Sequence, residues 1–173
     1  MSLDDTIAIQ RTINLYSLAM DTHRWDLFDE IFTEDVIAEY NENTKWTDRA
    51  SFKRDFATNY TVPPDSVQHT MNNVVVDVYG DTAYAVTYGH WRVVRDKIPG
   101  GSFWEGQGWY DDTIVRTPEG WRIKHRICKI IWWGGNPRLN RSEHSVAFDL
   151  PVTSLRAAAD ASGVSYLKAR GMR

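Results

Sequence analysis

Residues 16 to 40, YSLAMDTHRWDLFDEIFTEDVIAEY, decide how this chain is interpreted. Upstream of Asp21, apolar side chains recur at the helical spacing i, i+4, i+7 and i+11, in the order Ile9, Ile13, Tyr16 and Met20. The pattern predicts a first helix over about residues 4–20, with Tyr16 on the side that faces the core. Asp21 follows directly, where the helical pattern breaks and a carboxylate can turn towards an apolar interior.

The second half of the stretch predicts a short second helix over about residues 24–32 and a strand over residues 36–40. Alternation within the strand places Tyr40 on the same side as Val36. Two short helices and a strand around a polar joint would suit one wall of a ligand cavity. Local sequence leaves simpler interpretations open, because Asp21 or Thr22 could cap the second helix and Tyr16 could be a core aromatic.

Composition favours one globular domain without a polyanionic partner. The chain has 173 residues, of which 42% are hydrophobic and 25% charged, enough for a sizeable core. A net charge of −3 argues against nucleic-acid binding. The single cysteine, Cys128, excludes an intrachain disulfide and a cysteine-based metal cluster, and no His-rich or carboxylate-rich spacing suggests another metal site.

The amino terminus lacks a basic region followed by an apolar run, so we expect no signal peptide. No segment has the apolar length of a membrane span. The sequence therefore predicts a cytoplasmic protein with no membrane partner.

Beyond Tyr40 the period of the sequence changes from helical to strand-like. Thr47 or Asp48 is expected to cap a third helix, with Phe52, Phe56 and Tyr60 on its apolar face, which Pro63-Pro64 ends. Four long strands are then predicted over residues 67–79, 82–95, 103–116 and 121–133, followed by short helices over 154–161 and 164–169. Helices grouped before strands predict an α+β fold, in which a curved antiparallel sheet covered by N-terminal helices encloses a cone.

Strict alternation assigns each strand residue to one sheet face. It places His69 with Met71, Val75 and Asp77 on one face of the first long strand. It groups His90 with Tyr84 and Tyr88. On the last strand it points His125 inward between Ile123 and Ile127, with Arg122, Lys124 and Arg126 on the opposite face, and either Asp111 or Asp112 is expected to point inward. His69 and His125 could each also be an ordinary structural histidine.

Four motifs in this order resemble the SnoaL-like branch of the nuclear transport factor 2-like superfamily. They are YSLAMDTHRWD, LFDEIFTEDVIAEY, the QH that opens the first long strand, and the GW before the last one. The resemblance covers about residues 5–137 and implies a cystatin-like cone. It divides the chain into a SnoaL-like α+β barrel domain over 1–137 and an extension over 138–173 that packs on the same domain or on a neighbouring subunit.

Scytalone dehydratase, bile acid 7α-dehydratase and hexachlorocyclohexane dehydrochlorinase belong to this superfamily, and they set an Asp at the end of helix one against a His of the first long strand. The resemblance implies that Asp21, His69 and Tyr16 are the catalytic residues. It also implies substrate-binding roles for Tyr40 and His90. His125 and Tyr110 are added as substrate-binding candidates; Gly108 and Tyr110 stand where scytalone dehydratase has a serine and an asparagine, so that enzyme's substrate is not implied.

A carboxylate that fixes an imidazole leaves the second ring nitrogen as a base, which needs no metal or organic cofactor. The leading hypothesis is therefore a cofactor-independent lyase, of dehydratase type, or an isomerase that acts on a hydrophobic, cyclic small molecule in an enclosed cavity; ring closure of a polyketide is a further possibility. One alternative is a non-catalytic small-ligand-binding protein of the same fold. Another is the small subunit of an aromatic-ring dioxygenase. Because open sheet faces in this superfamily commonly pair between subunits, a homodimer or homotrimer is expected.

Overall fold

The computed structural model describes residues 3–40, 44–59, 66–140 and 151–172. Its helices are α1 (Leu3–Thr22), α2 (Phe28–Ile31), α3 (Arg49–Asn59), α4 (Leu155–Asp160) and α5 (Ser165–Ala169), with 3₁₀ turns at Trp25–Leu27 and Pro137–Asn140. Its strands are β1 (Phe32–Tyr40), β2 (Thr44–Trp46), β3 (Ser66–Tyr79), β4 (Thr82–Val94), β5 (Phe103–Thr117) and β6 (Gly120–Gly135).

The six strands form one curved, open sheet in the order β2-β1-β6-β5-β4-β3. This arrangement, with helices at the amino terminus, confirms the predicted α+β fold. Neighbouring strands are antiparallel except for β1 and β6, which run parallel. The predicted antiparallel pairing is confirmed for the four long strands β3 to β6, and β1 adds one parallel pair to the sheet. Parallel strands need a long connection, and here all of β2 to β5 separates the two. The three-residue β2 was too short to be predicted.

The inner face of the sheet packs against α1, whose buried residues are Ile9, Thr12, Ile13, Tyr16, Ala19 and Met20. This is the apolar face that helical spacing predicted. A second part of the core is aromatic, with the rings of Phe28 and Phe52 centred 5.2 Å apart and those of Phe52 and Phe56 4.9 Å apart. Helix α3 begins as predicted after Asp48, whose carboxylate accepts the backbone N–H of Ser51 at 2.7 Å. Tyr60 and Pro63-Pro64 lie outside the described residues.

The junction after α1 differs from its prediction. The helix continues through Asp21 and ends at Thr22, and the next residue, His23, has a φ of 53°. The cap position of the next turn is Arg24, so neither Asp21 nor Thr22 caps it; the Thr22 hydroxyl instead donates to the Leu18 carbonyl at 2.6 Å. The predicted second helix is only a 3₁₀ turn followed by one α-helical turn, because the chain becomes extended at Phe32, where β1 begins.

Two β-bulges exchange the faces of residues that strict alternation had assigned. In β3 the register shifts between Asn72 and Val75, around Asn73 with φ 50°, so that Val74, Val76 and Val78 share the inner face with His69 and Met71. In β6 the register shifts between Ile123 and His125, opposite Thr113 and Ile114 of β5. Arg126 and Cys128 consequently point inward and are buried, whereas His125 and Ile127 point outward.

The described part of the C-terminal extension, residues 151–172, packs on the outer face of this chain's own sheet. Val152 bridges to Ile130, and the indole N–H of Trp109 donates to the Thr153 carbonyl at 3.0 Å. The Asp111 carboxylate accepts the backbone N–H of Ser165 at 2.6 Å. The domain boundary at residue 137 stays a prediction. Within the described ranges, no helix has the length and apolar character needed to cross a membrane.

Candidate active site

Asp21 and His69 lie in contact where the end of α1 crosses β3. Asp21 Oδ1 lies 2.6 Å from His69 Nδ1, and both carboxylate oxygens accept the backbone N–H of His69 at 2.9 Å. One carboxylate therefore fixes both the ring and the backbone of the histidine. The side chain of Asp21 is 25% exposed and that of His69 is 9% exposed, so solvent-accessible space reaches both groups.

The contact determines which nitrogen of His69 can act as a base. An ionised carboxylate only accepts hydrogen bonds, so the proton of a neutral imidazole stands on Nδ1, and Nε2 keeps its lone pair. No hydrogen bond to Nε2 is found from any residue that the structure describes. Nε2 is therefore the atom of this pair that can take a proton from a ligand.

The ring of Tyr16 supports His69 from the core, edge to face, with ring centres 6.3 Å apart. The Tyr40 hydroxyl donates to the Tyr16 hydroxyl at 3.0 Å, and Tyr16 is only 1% exposed. Burial raises the pKa of both phenols above the ordinary value, so both remain protonated at neutral pH. In this structure Tyr16 touches the imidazole and not the solvent, which makes it a positioning residue.

Arg126 and Asp112 form a fully buried ion pair that the sequence analysis did not identify. The guanidinium donates to the two carboxylate oxygens at 2.8 and 2.7 Å, and neither side chain is exposed. Burial alone would lower the pKa of Arg126, but the Asp112 carboxylate raises it well above its ordinary value. The guanidinium also lies 4.6 Å from the ring centres of both Tyr16 and Tyr110.

The sequence contained one sign of this pair. Trp121 and Ile123 have odd numbers, whereas Cys128 and Ile130 have even numbers, so the parity of the buried apolar residues changes within the strand. A bulge explains such a change, but the sequence does not say where the extra residue lies. Asp112 points into the core, on the same face of the sheet as Tyr110. Asp111 points outward and contacts the C-terminal extension.

Tyr110 lies inside the core with Tyr16, at 5.9 Å between ring centres, and is 2% exposed. The structure does not bring His90 or His125 to this cluster. His90 shares the outer face with Glu105, whose Oε2 is 3.5 Å from its Nε2, because β4 has no bulge and alternates strictly. His125 Nε2 lies 3.0 Å from Glu39 Oε1, since the β6 bulge turns it outward. We therefore leave both histidines out of the candidate site.

The reactivity of the Cys128 thiol tests whether reagents in solvent can reach this core. It is 6% exposed, and burial raises the pKa of its thiol to about 12, so the reactive thiolate is almost absent at pH 8. We expect Ellman's reagent to leave Cys128 unmodified in the folded protein and to titrate one thiol per chain in 6 M guanidinium chloride. Rapid reaction without denaturant would show that the core around Tyr110 opens readily.

Within the described residues, no three His, Cys, Asp or Glu side chains come together as a metal site.

The family of SnoaL-like domains matches residues 1–127 of this chain. An uncharacterized protein of Mycobacterium tuberculosis is 30% identical over 131 residues, which cover 72% of this chain and 84% of that protein.

Three solved structures from Novosphingobium aromaticivorans share the fold. One, provisionally named a scytalone dehydratase, has a TM-score of 0.70 and 20% identity, and covers 84% of this chain and 97% of that chain. A second, provisionally named an aromatic ring hydroxylase, has a TM-score of 0.70 and 25% identity over 82% and 99% of the chains. A third is an NTF2-like protein with a cystatin-like fold (TM-score 0.66, 22% identity, 75% and 83% covered), which confirms the predicted cystatin-like architecture.

Proposed function

Because the chain belongs to the SnoaL-like domain family of the nuclear transport factor 2-like superfamily, as its motifs predicted, we propose that it is a cofactor-independent lyase or isomerase in which His69 is the general base. Dehydration by elimination is the first choice. The observation that carries the proposal is the 2.6 Å contact between Asp21 Oδ1 and His69 Nδ1, which leaves Nε2 free to accept a proton.

In an elimination, His69 Nε2 takes the proton on the carbon next to a carbonyl group. The carbon–oxygen bond of the adjacent hydroxyl group then breaks, and the leaving oxygen receives the proton back from the imidazolium as water. Asp21 holds the tautomer that can accept the proton and stabilises the cation formed in between. If no group leaves, return of the proton to another carbon gives isomerisation, so both reactions use the same two residues.

The surroundings of His69 support an uncharged, hydrophobic substrate. Met71 follows His69 by two residues on β3, and Trp91 of β4 is the register partner of His69; both lie on the inner face. The one guanidinium that the structure places in the described core, that of Arg126, is neutralised by Asp112. The described core therefore offers an anionic ligand no unbalanced positive charge to offset the hydration that it would lose.

The test is turnover of a panel of cyclic β-hydroxy ketones by wild-type protein, His69→Ala and His90→Ala, with products identified by mass spectrometry in H₂O and D₂O. We expect His69→Ala to lower kcat by about 10²- to 10⁴-fold, the usual contribution of one positioned base. His90→Ala is the matched control, because it removes an imidazole from the outer face. Equal turnover by the two variants would reject His69 as the base.

The similarity to the provisional aromatic ring hydroxylase favours a second candidate, a subunit of a ring-oxidising enzyme. Such a subunit would co-purify in a fixed ratio with a larger catalytic chain, and His69→Ala would leave both the complex and its activity intact. A protein that binds ring compounds without converting any of them would instead be a ligand carrier.

The homodimer or homotrimer and the cytoplasmic location remain predictions; the extension already covers part of the outer sheet face.

A further inference from the structure

Three glycines on the inner faces of β4 and β5 make room for two aromatic rings. Gly89 and Gly108 are register partners at the centre of the sheet. A Cβ atom on Gly89 would lie 2.5 Å from Cε2 of Tyr110, and one on Gly108 would lie 2.1 Å from the Lys129 carbonyl oxygen and 2.8 Å from Cη2 of Trp91. The rings of Tyr110 and Trp91 therefore occupy space that side chains at Gly89 and Gly108 would otherwise fill. Glycine within a strand weakens it, and often marks such a close approach to the backbone.

Trp91 is held by two of these glycines. A Cβ atom on Gly106 would lie 2.9 Å from Nε1 of Trp91, while Gly108 underlies the far end of the same indole. The indole thus lies across the backbone of β5. Trp104 stacks beside it, with ring centres 6.3 Å apart and an angle of 23° between the planes. These contacts fix the plane of the Trp91 ring.

Trp91 also stands next to the candidate base. His69 and Trp91 are register partners on β3 and β4, and directly opposed residues have Cβ atoms about 4.5–5.5 Å apart. Trp91 is 8% exposed, close to the 9% of the His69 side chain, whereas Tyr110 and Trp104 are 2% exposed. Among His69, Trp91, Trp104 and Tyr110, the neighbouring residues His69 and Trp91 therefore have the largest exposed fractions.

We propose that Trp91 determines substrate specificity, by stacking on a planar, conjugated ring whose edge meets His69. The assignment of His69 as the base rests on the proposed function; the stacking role of Trp91 does not. A planar ring contacts the whole accessible indole surface, while a saturated ring of the same size is puckered and contacts only part of it. The fixed plane of Trp91 cannot adapt to the puckered ring, since Gly106, Gly108 and Trp104 hold it.

The experiment measures binding by isothermal titration calorimetry, with His69→Ala as the common background so that no turnover interferes. The probes are 2-naphthol and decahydro-2-naphthol, which share one carbon skeleton and one hydroxyl group. We expect 2-naphthol to bind about 3- to 10-fold more tightly, the range of a single aromatic stacking contact. Adding Trp91→Leu should bring the ratio of the two dissociation constants to about 1, and Trp91→Phe should retain most of the preference.

Trp132→Leu is the matched control, because Trp132 is 41% exposed and its indole N–H donates to Gln107 on the outer face. It should leave the preference unchanged. If Trp91→Leu proves unstable by circular dichroism, Gly106→Ala replaces it, since the added methyl group displaces the indole and should also reduce the ratio. An unchanged ratio in the Trp91 variants, or no binding of either probe, overturns the proposal. A clear preference in a protein that converts no substrate rejects the lyase or isomerase function and leaves the Trp91 assignment standing.

Discussion

Asp21→Asn is expected to lower kcat by about 10³- to 10⁴-fold while the protein remains folded. The asparagine oxygen can still accept the backbone N–H of His69, as the carboxylate does at 2.9 Å. The amide nitrogen, however, would face Nδ1 and donate to it, which moves the imidazole proton to Nε2 and removes the base. The asparagine also cannot stabilise the imidazolium. Steady-state kinetics on the substrate found in the panel measures the loss.

Asp26→Asn serves as the control for this change. Asp26 lies five residues further along, and its carboxylate is 61% exposed and paired with Arg24 on the surface. Its replacement should leave kcat unchanged. The double variant Asp21→Asn/His69→Ala should be about as slow as His69→Ala alone, because the two residues act as one unit. Additive losses would mean that Asp21 acts independently of the imidazole.

Sequence patterns predicted the elements that depend on one local signal. The spacing of Ile9, Ile13, Tyr16 and Met20 gave the buried face of α1, and Asp48 marked the start of α3. The prediction that Asp21 and His69 form a pair came from the resemblance to the family, because no local pattern joins residues 48 positions apart. The same resemblance implied a substrate-binding role for His90, but the regular alternation of β4 places this residue on the outer face of the sheet.

The wrong face assignments in β3 and β6 arise from β-bulges, which change the inward side of a strand without a distinct residue type. One extra residue before His125 turns it away from the core and turns Arg126 into it. The burial of Arg126 depends on tertiary contacts. Its guanidinium is tolerated in the core because Asp112 of β5 and the rings of Tyr16 and Tyr110 surround it. None of these partners is near Arg126 in sequence, so Arg126, in alternation with Arg122 and Lys124, was interpreted as part of a solvated basic face.

Asp112→Asn is expected to lower the free energy of unfolding by about 3–5 kcal/mol, because it leaves the Arg126 guanidinium buried without a counter-ion. Urea unfolding followed by circular dichroism measures the change. Asp35→Asn is the control: Asp35 pairs with Lys124 on the surface and is 69% exposed, and its replacement should cost less than about 1 kcal/mol.

The double variant Asp112→Leu/Arg126→Met separates the two roles of this ion pair. Both charges are removed, so most of the stability lost in Asp112→Asn should return, since apolar residues often replace a buried ion pair without cost. Activity should still fall, because methionine cannot supply the guanidinium that lies against Tyr16 and Tyr110, and Tyr16 in turn positions His69. A double variant as unstable as Asp112→Asn would show that the pair matters for packing and not for charge balance. One that is both stable and fully active would show that Arg126 has no part in holding the base.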